Sequence, residues 1–235
     1  MKLLYYYDNN WKLMKEQFEL HLKDDFDLRP LNTDKIDPAT YLAPCPFKPT
    51  GGVVDHSKTD KSNIGGGIGS WLTKVDMIIT AIETGDNDEV ITVADTDIRF
   101  YKPVIPTIKK YTEGVDICFQ KERHISISNK EVNIGFISMK CNKVVIDFWK
   151  HVKDIIQREG IWDQQIVNKL LRENYPINFR HFPGDIFCMT QRQPTRNMIL
   201  HHANAAKTQE QKLNQFKSVR KIWRREFYRN MQDNE

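Results

Sequence analysis

Residues 2–7 read as a strand. Residues 11–23 then carry Trp11, Met14, Phe18 and Leu22 at spacings of three and four, the pattern of an amphipathic helix. Residues 26–31 predict a second strand, and residues 32–67 are rich in Pro, Gly, Asp, Lys and Ser. That composition predicts a long irregular segment, and in a compact domain such loops are often functional. Helical spacing returns over residues 68–83 through Trp71, Val75, Ile78, Ile79 and Ile82, with Gly85 closing the helix. The β-branched run at residues 90–94 is too short for a helix and fits an inner strand. A short helix is expected at 104–111, strands at 115–120 and 134–139, and helices at 144–158 and 162–174. The helix at 144–158 should bury Val145, Phe148, Trp149, Val152 and Ile156. Strands at 177–182 and 198–201 complete the pattern, which holds no internal repeat. Alternation of this kind predicts a single α/β domain: a mixed, mostly parallel central sheet flanked by helices on both faces.

Composition narrows this picture in three places. A chain of 235 residues with 40% hydrophobic and 28% charged residues fits one soluble domain, and no apolar run approaches the ~20 residues of a membrane span. The apolar opening breaks at Asp8-Asn9-Asn10, too short for a signal-peptide core, so the expected location is cytoplasmic and not secreted. Cys45, Cys118, Cys141 and Cys188 lie far apart with no Cys-x-x-Cys pair, against both a zinc site and a disulfide scaffold, and Cys118 and Cys188 read as small core residues. The net charge is only +4, but residues 207–229 gather eight Lys and Arg against two Glu. The chain therefore divides into a body, 1–206, and a basic C-terminal helix or tail, 207–235.

The richest chemistry stands where the run at 90–94 ends in Asp95-Thr96-Asp97. Open α/β sheets bind ligands at the carboxyl ends of their strands. Asp-x-Asp puts two carboxylates on one side of an extended backbone, within reach of one Mg²⁺ or Mn²⁺, or simply in solvent at a strand end. As exposed strand-end groups they should contribute little to the core. His201-His202 follow Met198, Ile199 and Leu200, so an imidazole can complete a metal shell or serve the structure alone. Lys74 lies on the helix feeding the Asp-x-Asp strand and can neutralise a diphosphate or stay solvated. Asn133-Ile134-Gly135-Phe136 sets a side-chain amide beside a glycine that admits close approach, in a ligand pocket or a β-bulge. Asp163 and Gln164 open a helix, where they can face a sugar or complement the helix dipole. Residues 65–69, Gly-Gly-Gly-Ile-Gly, read as a hinge or substrate loop.

Taken together, ITVADTDIRFYKP, DICFQKE, VNIGFISMK with FWKHV, WDQQIVNKLL, FPGDIF and ILHHAN resemble the nucleotide-diphospho-sugar transferases, metal-dependent glycosyltransferases of the A-type fold, especially small bacterial and viral members. The resemblance spans residues 71–204 in order. It implies a glycosyltransferase-A-type fold with a Rossmann-like nucleotide-binding half, and a donor that is a nucleotide-diphosphate sugar, UDP by default. It also implies that Asp95 and Asp97 hold Mn²⁺ or Mg²⁺, with His202 as third ligand and His201 as the alternative. Lys74 would contact the diphosphate, Asn133 and Gly135 would line the sugar pocket, and Asp163 and Gln164 would be catalytic, facing the transferred sugar and the acceptor hydroxyl. Tyr7 and Asp8 at the end of the first strand are compatible with a nucleotide-binding edge, and Thr96 and Asn204 fall within the donor-binding motifs. The implied acceptor is a glycan, a lipid-linked sugar (glycolipid) or a protein.

Two rivals come from other classes. A phosphatase or phosphotransferase of the haloacid dehalogenase type also places Asp-x-Asp after a strand, but near the N-terminus. A module binding nucleic acid or an anionic membrane surface would rest on Lys212, Lys217, Arg220, Lys221, Arg224, Arg225 and Arg229 with Trp223, Phe227 and Tyr228 interleaved. Set against the module is a C-terminal helix that packs Leu213, Phe216, Ile222 and Trp223 on the body with its charges in water. Nucleic acid is not an expected partner. Peripheral contact with an anionic membrane is the use the tail would have.

Overall fold

The computed structural model describes residues 1–35, 68–122, 131–184, 187–189, 194–204, 206 and 208–232; the side chains of residues 68–70, 188, 189 and 226–232 are outside that description. Most of the irregular segment at 32–67, its glycine run at 65–67 and Cys45 therefore lie outside the described residues. The main sheet has six strands in the order β2 (Asp27–Asn32), β1 (Lys2–Tyr7), β3 (Val90–Ala94), β6 (Val132–Lys140), β5 (Ile117–Lys121) and β7 (Phe179–His181). Neighbours pair in parallel except at β6, which runs antiparallel to both β3 and β5. This is the mixed, mostly parallel sheet that the alternation predicts. A second, three-stranded sheet joins β4 (Ile98–Phe100), β9 (Leu200–His202) and β8 (Phe187–Met189).

Strand alternation decides which helices cover which face. Leu4, Ile91, Val93, Phe119 and Ile137 face one layer, with Val75 and Ile78 of α2 (Ile68–Glu83), Trp149 and Val152 of α4 (Lys143–Glu159) and Ile166 of α5 (Asp163–Arg172). Leu3, Tyr5, Ala94, Cys118 and Phe136 face the other, against Phe18 of α1 (Lys12–Leu20) and Ile108 of α3 (Ile105–Thr112). α4 shows why such helices hold. Asn142 caps its N-terminus by accepting from Val145 N at 3.0 Å, Gly160 closes it at φ 64°, and between them six apolar side chains are buried. Each such burial contributes roughly 1.5–3 kcal/mol, so Trp149→Ala would cost about 3–5 kcal/mol.

Several expected boundaries move for identifiable reasons. α1 starts one residue inside the expected 11–23, because residues 9–11 form a 3₁₀ turn in which the Asp8 side chain accepts from Trp11 N at 2.8 Å, and it ends at Leu20. β6 begins two residues before the expected 134, since Val132 and Asn133 are already buried in the sheet. β4 and β8 went unpredicted, as three-residue strands show no period. The C-terminal helix α6 (Gln209–Gln232) packs on the body through Phe216 and Val219, with Leu213 and Trp223 partly buried; Ile222, expected inside, is exposed. Cys118 and Cys141 are buried and free. Among the described residues no helix is long and apolar enough to cross a membrane.

Candidate active site

β3 ends at Ala94, and Asp95 N donates to Gly135 O at 2.7 Å, tying the strand end to β6. The chain then turns into β4, which pairs antiparallel with β9 so that Ile98 stands opposite His202, while Ala203 N donates to Asp97 O at 2.9 Å. The small sheet thus fastens a histidine beside the strand-end carboxylates. His202 Nε2 lies 3.2 Å from Asp97 Oδ1 and 3.9 Å from Asp95 Oδ2. Asp97 is only 8% exposed, so the expectation of a solvated strand-end group fails there; the second sheet covers it. His201, one residue along β9, faces away. Its Nε2 meets Gln215 at 3.0 Å, its Nδ1 has no partner among the described residues, and burial with His202 nearby pushes its pKa down to about 3.

Two buried ammonium groups answer the carboxylates. Lys74 Nζ reaches from α2 to Asp95 Oδ1 at 2.8 Å and Ile134 O at 2.8 Å. Burial works against its charge, but Asp95, Tyr6 and Asp163 outweigh that and hold it above the ordinary lysine value. Lys212 Nζ of α6 lies 2.5 Å from Asp97 Oδ2 and 2.9 Å from Ala203 O. Burial would raise the Asp97 carboxyl, yet His202 and Lys212 overcome it and hold Asp97 well below the usual carboxylate range. Composition put Lys212 among solvated tail charges, a reading its 6% exposure overturns. The signal was present, because Lys212, Phe216 and Val219 share the i, i+4, i+7 stripe of α6.

A third group lies where α5 begins. Asp163 is buried and accepts from Gln164 N through Oδ1 at 2.8 Å. Desolvation, eased by Lys74 and reinforced by Asp95, pushes its pKa up to about 6. Gln164 Oε1 accepts from Ile134 N at 3.2 Å and its Nε2 donates to Glu122 at 2.9 Å, while Asn133 Nδ2 donates to the same carboxylate at 3.2 Å. Glu122 is therefore the hub of these amides, and its position outside any periodic element hid it. Gly135 N donates to Asn133 Oδ1 at 2.8 Å, and a Cβ on Gly135 would stand 2.8 Å from His202 Nδ1 and closer still to Cε1. Only glycine admits the imidazole there. Across the sheet, Asp8 follows β1, parallel to β3, and so shares the carboxyl end with Asp95. Its Oδ2 is buried without a partner among the described residues, and desolvation raises its pKa. Tyr7 stands under the Lys15 ammonium, 5.6 Å from the ring centroid; Thr96 is buried and Asn204 exposed.

One ligand atom each from Asp95, Asp97 and His202 lies within 4.8 Å of the others. Two cis ligands at ~2.1 Å from an octahedral ion stand ~3 Å apart, so small movements would close this set around a cation. Two carboxylate oxygens with one imidazole nitrogen are a donor set that could hold a divalent cation.

The family model for nucleotide-diphospho-sugar transferases matches residues 72–216, well over half the chain. No curated protein matches the chain in sequence. Among solved structures, a glycosyltransferase involved in the glycosylation of the major capsid of PBCV-1 is similar at TM-score 0.59 and 13% identity, over 91% of this chain and 97% of that one. The galactosyltransferase LgtC, in complex with donor and acceptor sugar analogues, is similar at TM-score 0.53 and 12% identity, over 94% and 96%. Apo GlyE of Streptococcus pneumoniae TIGR4 gives 0.55 and 7%, over 97% of this chain but only 63% of its own. At such identities the likeness is one of fold, that of the A-type glycosyltransferases. With the family model covering both strand-end aspartates, His202 and Lys212, the chain belongs to the nucleotide-diphospho-sugar transferase family.

Proposed function

We propose that this transferase moves a sugar from a nucleotide-diphosphate sugar, UDP-linked by default, to a hydroxyl of a glycan, lipid-linked or protein acceptor, with Mn²⁺ or Mg²⁺ held by Asp95, Asp97 and His202. The observation that carries the reading is the convergence of those three side chains and Lys74 at the carboxyl end of the sheet. When bound, the metal would supply positive charge against the charge growing on the leaving diphosphate. Lys74 adds a fixed ammonium beside it, already dehydrated and so needing little rearrangement as that charge develops. Asp8, with its buried unpartnered oxygen, supports a nucleoside contact next to Tyr7, with Thr96 and Asn204 flanking the diphosphate. Asn133 and Gly135 line the sugar pocket.

Asp163 is ionised at neutral pH yet basic for an aspartate, which suits a general base. If the anomeric centre inverts, Asp163 takes the acceptor proton. If configuration is retained, the leaving phosphate takes it, and Asp163 with Gln164 orients the sugar. We assign the first turns of α6 to the catalytic unit rather than to a separate tail from residue 207, because Lys212 contacts Asp97. The outward charges Lys217, Arg220, Lys221 and Arg224 support a peripheral contact with anionic lipid at the cytoplasmic face, tested by salt-dependent vesicle sedimentation. The function itself is tested by release of nucleoside diphosphate from UDP-, GDP- and CDP-sugars with Mn²⁺, Mg²⁺ or EDTA. Metal-dependent release from one nucleotide class is the expected result, and no release from any of them overturns the reading.

A further inference from the structure

We infer that Gln120 is a positioning residue for His202, fixing which imidazole nitrogen faces Asp95 and Asp97; this rests on the metal reading above. Gln120 sits where β5 and β6 fall out of step. Phe119 pairs with Ile137, but the next residue, Gln120, pairs with Asn133, so Ile134, Gly135 and Phe136 are passed over on the β5 side. β3 stays in register with β6 there, Ala94 opposite Phe136. The slip opens a space floored by Gly135, whose missing Cβ lets the His202 ring lie against the backbone.

Into that space Gln120 projects a fully buried side chain, with Oε1 3.1 Å from His202 Nδ1. Its Nε2 is buried and has no partner among the described residues. Native proteins seldom leave a buried amide donor unpaired, and a Met or Leu would fill the same volume without that penalty. What an apolar side chain lacks is the acceptor. A carbonyl oxygen at Nδ1 requires that nitrogen to carry the proton, so Nδ1–H donates to Oε1. That leaves Nε2 as the nitrogen facing Asp95 and Asp97, the one a cation would take in place of a proton. The opposite tautomer would place a proton where a cation belongs.

The test uses the full chain and Mn²⁺ alone, with affinity read by electron paramagnetic resonance and metal-free stability by thermal denaturation. Gln120→Met is expected to bind Mn²⁺ about 10–100-fold more weakly. Its metal-free midpoint should stay within about 3 °C of wild type, because loss of the hydrogen bond is offset by loss of the unpaired donor. Gln120→Glu, which keeps an acceptor at the same place, is expected to bind Mn²⁺ at least as tightly as Gln120→Met does and within about fivefold of wild type. A merely structural role predicts a lowered midpoint in Gln120→Met with unchanged Mn²⁺ affinity, and that result overturns the inference. Failure of Gln120→Glu to rescue binding overturns it as well. If wild type itself binds no Mn²⁺, the metal reading falls first and takes this assignment with it.

Discussion

Replacing Asp163 by Asn should make the protein more stable and less active. Asp163 is buried, and its carboxyl is pushed from an ordinary 3.8 to about 6. Between those values the native state binds more protons than the unfolded chain, so stability falls as pH rises through about 4 to 6 and stays lower above it. Two pKa units correspond to about 3 kcal/mol, a figure that already includes the offset of the desolvation by Lys74. The substituted asparagine would keep the Oδ1 acceptor for Gln164 N, and Lys74 would retain Asp95 and the Ile134 carbonyl. The variant should therefore gain about 1–3 kcal/mol at pH 7 and roughly nothing at pH 3.5. Urea denaturation of both proteins from pH 3.5 to 8 measures this, since a change of midpoint at constant slope is a change of stability. Donor turnover should fall by at least about 100-fold if Asp163 is the base. Parallel stability curves between pH 4 and 6, or a variant less stable at pH 7, would refute the reasoning.

The Lys212–Asp97 pair should show opposite effects on folding and on metal binding: Lys212→Met is expected to cost about 2–4 kcal/mol of metal-free stability while tightening Mn²⁺ binding about tenfold, as an ammonium no longer opposes the ion. Asp97→Ala should cost a further-reaching 3–5 kcal/mol, partly restored when Lys212→Met is added, which a double-mutant cycle in urea reads directly. Gly135→Ala forces His202 off the carboxylates. It should lower stability by about 1–3 kcal/mol and weaken Mn²⁺ binding together, measured by denaturation and metal titration.

What the sequence disclosed follows from what periodicity can carry. The helix at residues 68–83 and the strand at 90–94 appear with the predicted limits, because each is long or apolar enough for its period to dominate. Asp95 and Asp97 were legible as a strand end, and the six motifs located the family across 71–204, where the family model finds it at 72–216. Burial of Asp97 was not legible, because it comes from β4 and β9, two three-residue strands distant in sequence. Lys212 was hidden by its neighbours: amid so many exposed cations, one on the inward stripe of α6 reads as another surface charge. Glu122 and Gln120 depend on a register slip between β5 and β6, which no one-dimensional pattern records. Which of two adjacent histidines faces the carboxylates is likewise fixed by the pairing of Ile98 with His202.

The central claim is a metal-dependent donor site at Asp95, Asp97 and His202, and calorimetric titration tests it most directly. Wild type would be titrated with UDP-, GDP- and CDP-sugars, with and without Mn²⁺. The double variant Asp97→Asn with Lys212→Met, which leaves no buried charge uncompensated, would be titrated alongside it. The account predicts saturable binding of one nucleotide class by wild type only when Mn²⁺ is present, and none by the double variant. Equal binding with and without metal, or metal-dependent binding that survives in the double variant, would contradict it.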